Sequence, residues 1–141
     1  MTQFPDDSAI EHLARRVLDA SLPRDEWTHA AHFALALWLL RHRPESAGAE
    51  DFRAIIRRLN DAHGTPNTDT SGYHHTITIA SILAAALVLS VLDADAPLLG
   101  VLGALTAGPY GRSVWILGHW SRERLFGGEA RREWLAPDLA P

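Results

Sequence analysis

Residues 26–42 read EWTHAAHFALALWLLRH, and this stretch decides the fold. Residues 30–40 are apolar on nearly every side, which is typical of a helix that is surrounded by other helices. Acidic residues precede this run and basic residues end it, an order that suits the helix dipole. Because Pro23 permits a first helical turn and Pro44 stops a helix, the sequence predicts a central helix from about Pro23 to His42.

Other stretches also have helical patterns, and none alternates with a period of two residues, so no sheet is expected. The other predicted helices run from about Ser8 to Ala20, Ala49 to Ala62, Ser71 to Leu92, Ala96 to Leu105 and Arg112 to Leu125, with a short one from Glu129 to Leu135. Ser8 is expected to cap the first helix, with Glu11 at the capping-box position. The sequence therefore predicts an all-α fold, a single domain over residues 1–141 built as a bundle of five to six helices.

The composition excludes several classes of function. With 47% hydrophobic and 21% charged residues, the chain is typical of globular proteins. Its formal net charge of −4 argues against a nucleic-acid partner bound through phosphate contacts. The pairs Arg57–Arg58 and Arg131–Arg132 have acids close to them in sequence and are interpreted as solvated helix faces. There is no cysteine and all 13 basic residues are arginine, which excludes thiolate and lysine chemistry.

No targeting or membrane segment is expected. The first residues are polar and acidic, unlike those of a signal peptide. The most hydrophobic stretch, Ile77 to Leu92, is short for a membrane span and is followed by Asp93 and Asp95. It is interpreted as a buried core helix, and the protein is expected to be soluble and cytoplasmic.

Histidines open two of the apolar helices. His29 and His32 are three residues apart at the start of the central helix, and Glu26 precedes them by the same spacing. Residues spaced in this way share one side of a helix. His74 opens another apolar helix after the polar loop 60–72, and a loop of this length inside a compact domain is often functional. We therefore expect His29, His32 and His74 to bind one metal ion, with a further position open for water or substrate.

The available ligand types limit the metal. Without cysteine, and with methionine only at position 1, the site offers imidazole and oxygen ligands. The expected cofactor is therefore a divalent transition metal such as Zn, Fe, Ni or Mn. A dinuclear carboxylate site is not favoured because the chain has no second Glu-x-x-His motif. His63, in the polar loop, either covers the site or is a turn residue.

The residues around the expected site have several open roles. His75, Asp69 and Glu26 are the candidates for acid or base catalysis. His75 points about 100° away from His74 on a helix and is interpreted as a fourth metal ligand, as an acid or base group at the rim or, equally with the latter, as a surface residue. Glu26 is also interpreted as a metal ligand, a partner of an imidazole, or an exposed acid matched to the helix dipole. The residues expected to line the cavity and bind substrate are Trp27, Tyr73 and Thr78.

Two longer motifs carry a resemblance. EWTHxxH at 26–32 and NTDTxGYHxT at 67–76 resemble motifs of a group of small uncharacterised bacterial helical proteins. The resemblance covers most of the chain from Glu26 on and includes residues 129–131 and 137–139. It implies that His29, His32 and His74 belong to one unit, and it brings no established activity. At His75 the group usually has an acid, so the resemblance assigns this side chain no role. In fold alone, the layout is similar to helical bundles with three-histidine metal sites, such as DinB-like proteins.

Three functions remain open at this point. The first is a mononuclear metal protein with hydrolase-like or transferase-like chemistry on a small molecule. The second is a non-catalytic module that binds a small ligand or a metal in the same pocket. The third is a helical interaction protein whose histidines are satisfied core residues. Residues 77–107 are a candidate homodimer interface, and no membrane partner is expected.

Overall fold

The computed structural model describes residues 3–139, which form helices and 3₁₀ turns without a β-strand. The five longer helices in this range are α1 (Asp7–Leu18), α2 (His29–His42), α3 (Ala49–His63), α4 (His75–Val91) and α5 (Leu98–Ala107). Two short helices follow them in the described chain, α6 (Arg122–Leu125) and α7 (Gly128–Arg132). The predicted all-α bundle is confirmed.

Helix α2 is the centre of the bundle. Ala31 and residues 33–39 are all buried, and the helix packs against α1, α4 and α5. Bulky side chains such as Phe33 and Leu37 are at most 1% exposed. Each of them contributes about 1.5–3 kcal/mol to folding by leaving water. The predicted central position of this helix is therefore confirmed.

The start of α2 differs from the prediction. Arg24–Glu26 forms a separate 3₁₀ turn, and α2 begins only at His29. Thr28 has an extended backbone, and its hydroxyl accepts a hydrogen bond from the Ala31 N–H at 3.1 Å, so it caps the helix. The prediction of one continuous helix through this segment is wrong because the Thr28 cap interrupts it. Glu26 consequently does not share a helical face with His29.

A side-chain cap also starts α1, but it is not the predicted one. The Asp6 carboxylate accepts from the Ala9 N–H at 2.9 Å and from the Ser8 hydroxyl at 2.8 Å. A charged acceptor suits the positive end of the helix dipole better than a hydroxyl does. The prediction of Ser8 as the cap is therefore wrong, and Glu11 forms an exposed pair with Arg15 instead.

Helix α4 is apolar around its whole circumference but buried on one side only. It packs against α2, α3, α5 and α7, with Ala84 and Ala85 among its buried residues. Leu83, Leu87 and Val91 remain 57%, 56% and 71% exposed. The interpretation as a buried core helix is therefore wrong for this side. No helix within residues 3–139 combines the length and the apolar character needed to cross a membrane.

The loop between α3 and α4 is built on the side chain of Asn67. Its Oδ1 accepts from the Asn60 amide and from the Tyr73 N–H, both at 3.0 Å. Its Nδ2 donates to the Asp61 carboxylate at 3.2 Å. Gly72, with a φ of 78°, provides the left-handed backbone just before Tyr73. These contacts fix the position at which α4 begins.

The segment after α5 also departs from the prediction. The helix expected over residues 112–125 is replaced by a 3₁₀ turn at Trp115–Gly118 and the short α6. The backbone N–H and the hydroxyl of Ser121 both donate to the Asp138 carboxylate, at 2.7 and 2.6 Å. These bonds to the C-terminal segment satisfy groups that a continuous helix would otherwise pair. The prediction of a long helix here is therefore wrong, and α7 packs against α4 instead.

Gly72→Ala is expected to destabilise the protein more than Gly64→Ala. Both glycines have a positive φ, which costs an alanine about 1–2 kcal/mol. A Cβ added at Gly64 meets open space, whereas one at Gly72 would lie 2.6 Å from Asn67 Oδ1. Such overpacking typically costs about 1–3 kcal/mol more. Urea unfolding measures the two free energies, and equal losses would contradict the close packing assigned to the loop.

Candidate functional site

A cavity of about 420 Å³ opens where the starts of α2 and α4 face the end of α3. We call it the histidine pocket. Its wall includes Arg24, Trp27, His32, His63, Tyr73 and His74. These residues come from the first 3₁₀ turn, two helix starts, one helix end and the loop, so that only the folded chain assembles them.

His32 lies on the wall of this pocket. Its side chain is exposed, and its ring stacks on Trp27 with the ring centroids 3.7 Å apart. Its Nδ1–H donates to the Thr28 carbonyl at 2.7 Å, which leaves Nε2 as an acceptor. The surrounding protein disfavours the charged ring and lowers the pKa of His32 to about 4. The imidazole is therefore neutral at pH 7.

His74 also borders the pocket, but its ring serves the fold. It is the N-cap of α4, and its Nδ1 accepts from the Ile77 N–H at 3.1 Å. Its Nε2–H donates to the Leu125 carbonyl at 2.7 Å. Burial lowers the pKa of His74, which favours this neutral ring. Because both nitrogens bond the backbone, neither has a lone pair free for a metal ion in this conformation.

His29 lies outside the pocket. Its Nε2 bonds the Tyr110 carbonyl at 2.9 Å, and its ring packs edge-on against Phe33. His32 and His74 border the pocket without His29, and each of the three imidazoles bonds a different backbone carbonyl. Within residues 3–139, no three His, Asp or Glu side chains are placed to hold a metal ion. The expected cluster is not formed, and metal binding stays a prediction from the sequence.

His75 turns away from the pocket, as its position next to His74 predicts. It is 5% exposed, its Nδ1 accepts from the Tyr73 hydroxyl at 2.7 Å, and its Nε2 lies 3.9 Å from Glu50 Oε2. Burial lowers the pKa of His75 and raises the pKa of Tyr73 to about 12, so both groups are neutral near pH 7. The alternative of a surface residue is therefore wrong for His75.

The two acidic candidates face arginines, and neither lines the histidine pocket. Glu26 Oε1 lies 3.4 Å from an Arg16 nitrogen. Asp69 Oδ2 lies 2.6 Å from Arg132 Nη1. In this arrangement the carboxylates orient other side chains of the protein, and an acid or base role for them stays a prediction.

The three residues expected to line a cavity all lie on the wall of the histidine pocket: Trp27, Tyr73 and Thr78. The two aromatic rings give the pocket an apolar lining, in which Trp27 is stacked on His32 and Tyr73 is only 5% exposed. The Thr78 hydroxyl donates to the His74 carbonyl at 2.8 Å, which holds it in the first turn of α4. A role of these residues in binding stays a prediction.

Arg24 is the only charged side chain among the described residues on the pocket wall. Its guanidinium donates to the His63 carbonyl and lies 3.4 Å from the Thr65 hydroxyl. His63 Nε2 in turn bonds the Leu22 carbonyl at 2.7 Å. These contacts join residues 39 to 41 positions apart. No local pattern indicates them, and the only clue in the sequence is an arginine within an otherwise acidic turn.

Comparison of the chain with protein-family models, with curated proteins and with solved structures found no significant match. The pocket is therefore interpreted from its own geometry. That geometry combines one arginine, a neutral imidazole and aromatic lining around an open cavity. The resemblance to the bacterial helical group stays an expectation from the sequence.

The free energy of unfolding is expected to fall as the pH is lowered from about 6.5 to about 4. His32, His74 and His75 all have a lowered pKa in the folded protein. The unfolded chain, with histidine pKa values of about 6.5, then binds more protons, so stability is complete above that pH and is lost below it. Urea unfolding at pH 7, 6 and 5 measures the slope.

His74→Gln separates the two roles of that ring. The variant is expected to lose about 1–2 kcal/mol at pH 7 through the weakened cap. It is also expected to lose stability less steeply than the wild type towards pH 5, because one titrating group is gone. An unchanged slope would contradict the neutral, hydrogen-bonded state assigned to His74.

Proposed function

We propose that the protein is a binding module for a small, flat molecule with an anionic group, which occupies the histidine pocket without turnover. The observation that carries this proposal is the composition of the wall, where Arg24 is the only charged side chain of the described residues and Trp27 and Tyr73 supply aromatic lining. A guanidinium binds a carboxylate through two parallel hydrogen bonds. The cavity of about 420 Å³ lies within the usual range of ligand sites, about 300–1,000 Å³.

The imidazoles of the pocket are suited to accept hydrogen bonds from this ligand. His32 is neutral at pH 7, and its Nε2 is the acceptor nitrogen. His63 donates through Nε2 to the Leu22 carbonyl, which leaves Nδ1 as an acceptor in the neutral ring. A ligand that carries an O–H or N–H group beside its anionic group is therefore complementary to this wall.

Binding without turnover suits these side chains better than acid–base catalysis. A base with a pKa of about 4 holds a proton weakly at neutral pH, where effective general bases have a pKa near the working pH. His74 already uses both ring nitrogens in backbone hydrogen bonds. A metal-dependent hydrolase or transferase would require His29 and His74 to leave their present partners, and it stays a prediction from the sequence.

Arg24→Gln is expected to weaken the binding of an aromatic acid such as 4-hydroxybenzoate. The loss is expected to be about tenfold or more, because a hydrogen bond to a charged group contributes about 1.5–3 kcal/mol. Arg112→Gln, at an exposed position outside the pocket, removes the same charge and is the matched control. Calorimetric titration measures both affinities. The control ligand is 4-hydroxybenzamide, in which a neutral amide replaces the carboxylate.

Two results would count against this assignment: equal losses in both arginine variants, or an amide that binds as tightly as the acid. Metal analysis of protein purified without a histidine tag tests the alternative function. Stoichiometric metal that is lost in His32→Ala and retained in His12→Ala, an exposed residue of α1, would favour the metal-dependent function instead.

We also propose that a second copy of this chain covers the exposed side of α4. Leu83, Leu87 and Val91 form a ridge along α4 at intervals of one turn. The exposed positions of the neighbouring α5 are all small: Gly100, Gly103, Ala104 and Ala107. Neither helix contains an Asp, Glu, Lys or Arg residue. In a two-fold pair, the ridge of one copy fits the shallow side of the other.

The glycines of α5 support this proposal. Glycine inside a helix costs about 0.5–1 kcal/mol relative to alanine. A Cβ added at Gly100 or Gly103 would meet no atom of the described chain within 4 Å. The packing of one copy therefore does not require these glycines, whereas they would allow another helix to approach closely.

Leu87→Glu is expected to convert a dimer into monomers. A carboxylate that is buried at an interface without a partner costs roughly several kcal/mol. Light scattering reads the change as a fall in mass from twice 15.5 kDa to 15.5 kDa. Phe126→Glu alters a side chain of similar exposure on neither helix and is the matched control. A wild-type protein that stays monomeric at high concentration would contradict this interface.

A further inference from the structure

Four arginines border a second, smaller cleft, whose wall shares Tyr73 with that of the histidine pocket. We call it the arginine cleft and define it by the residues Arg53, Arg57, Asp69, Tyr73, Arg131 and Arg132. Its volume is about 190 Å³. Arg53 and Arg57 lie one turn apart on α3, and the other two arginines belong to α7. The fold therefore brings together two basic pairs that are more than 70 residues apart in the chain.

The arginines of this cleft are only partly neutralised. Arg53 pairs with Glu50 at 2.9 Å, and Arg132 pairs with Asp69 at 2.6 Å. No ion pair within residues 3–139 includes the guanidinium of Arg57 or of Arg131. Two of the four positive charges thus have no carboxylate partner. The sequence predicts solvated helix faces for the pairs Arg57–Arg58 and Arg131–Arg132, and Arg57, Arg58 and Arg132 are indeed exposed. The tertiary structure adds that Arg57, Arg131 and Arg132 border one opening.

Backbone carbonyls hold two of the arginines in fixed positions. Arg53 Nη2 donates to the Arg132 carbonyl at 3.0 Å, and Arg131 Nη1 donates to the Gly72 carbonyl at 3.0 Å. The Arg53 guanidinium also lies over the Tyr73 ring, 5.5 Å from its centroid. The buried Nε of Arg131 has no hydrogen-bond partner among residues 3–139. Like charges held close together raise the free energy of the fold unless an anion compensates them.

We propose that the arginine cleft binds the phosphate group of a small soluble molecule. Guanidinium forks match the oxygens of phosphate in geometry and in charge. A phosphate dianion compensates both unpaired arginines, which a single carboxylate does not. The volume of about 190 Å³ holds a phosphate or pyrophosphate group but is smaller than most complete ligand sites, at about 300–1,000 Å³.

Arg57 distinguishes this proposal from a purely structural role of the cluster. Arg53, Arg131 and Arg132 also connect the loop and α7 to the rest of the fold, so their replacement affects stability as well as binding. The Arg57 side chain is exposed and forms no ion pair with a described residue. Arg57→Gln therefore removes charge from the cleft without removing a contact of the fold.

The test is calorimetric titration with inorganic pyrophosphate at low ionic strength. Arg57→Gln is expected to weaken binding by about tenfold or more while the melting temperature stays unchanged. Arg112→Gln, outside the cleft, removes the same charge and is expected to change the affinity by less than about twofold. Arg24→Gln, in the histidine pocket, is also expected to leave pyrophosphate binding intact, which separates this inference from the proposed function.

A second variant tests the position of the Arg132–Asp69 pair. A Cβ at Gly128 would lie 2.9 Å from Arg132 Nη1 and 3.1 Å from Asp69 Oδ2, so Gly128→Ala is expected to displace this flexible pair and weaken pyrophosphate binding. Equal losses in Arg57→Gln and Arg112→Gln, or no binding by the wild type, would overturn the proposal. Citrate that binds as tightly as pyrophosphate, or vesicles with phosphatidic acid that bind while pyrophosphate does not, would overturn the assignment to a soluble phosphate.

Discussion

The complete burial of α2 is the constraint on which the rest of the structure depends. Residues 33–39 leave no side of this helix for water, so α1, α4 and α5 must surround it. Polar side chains are then confined to the two ends of the helix, where it leaves the core. His32 lies at one such end, and the start of α4 meets it there. The histidine pocket thus lies where the buried helix α2 begins, because polar side chains can occur there and not in its middle.

Hydrogen bonds to backbone carbonyls determine what the histidines do. A neutral imidazole has one donor and one acceptor nitrogen, and in this fold a carbonyl takes the donor of His32 and of His74. The acceptor Nδ1 of His74 binds the Ile77 N–H in the first turn of α4, whereas the acceptor Nε2 of His32 remains available. Two histidines of similar sequence context therefore differ in chemistry, and the difference lies in which partner each ring meets.

Tyr73 borders two openings that differ in how many arginines line them. Its side chain borders the histidine pocket, where Arg24 is the only charged side chain of the described residues, and it also borders the cleft lined by four arginines, where the Arg53 guanidinium lies over its ring. The loop built on Asn67 places this ring, since the Asn67 carbonyl oxygen binds the Tyr73 N–H. His75 holds the far end of the same side chain through the phenol hydroxyl. The polar loop thus positions a side chain that both openings share.

The sequence by itself determined the all-α class, the central position of α2 and the extent of α3, because these follow from the periodicity of apolar residues within each segment. It also indicated that Trp27 and Tyr73 border a cavity. Only the tertiary structure decided which carbonyl each imidazole reaches, that Arg24 lies in the pocket, and that Arg57 and Arg131 share a cleft. Such contacts join residues 39 to 81 positions apart, and periodicity within a helix carries no information about them.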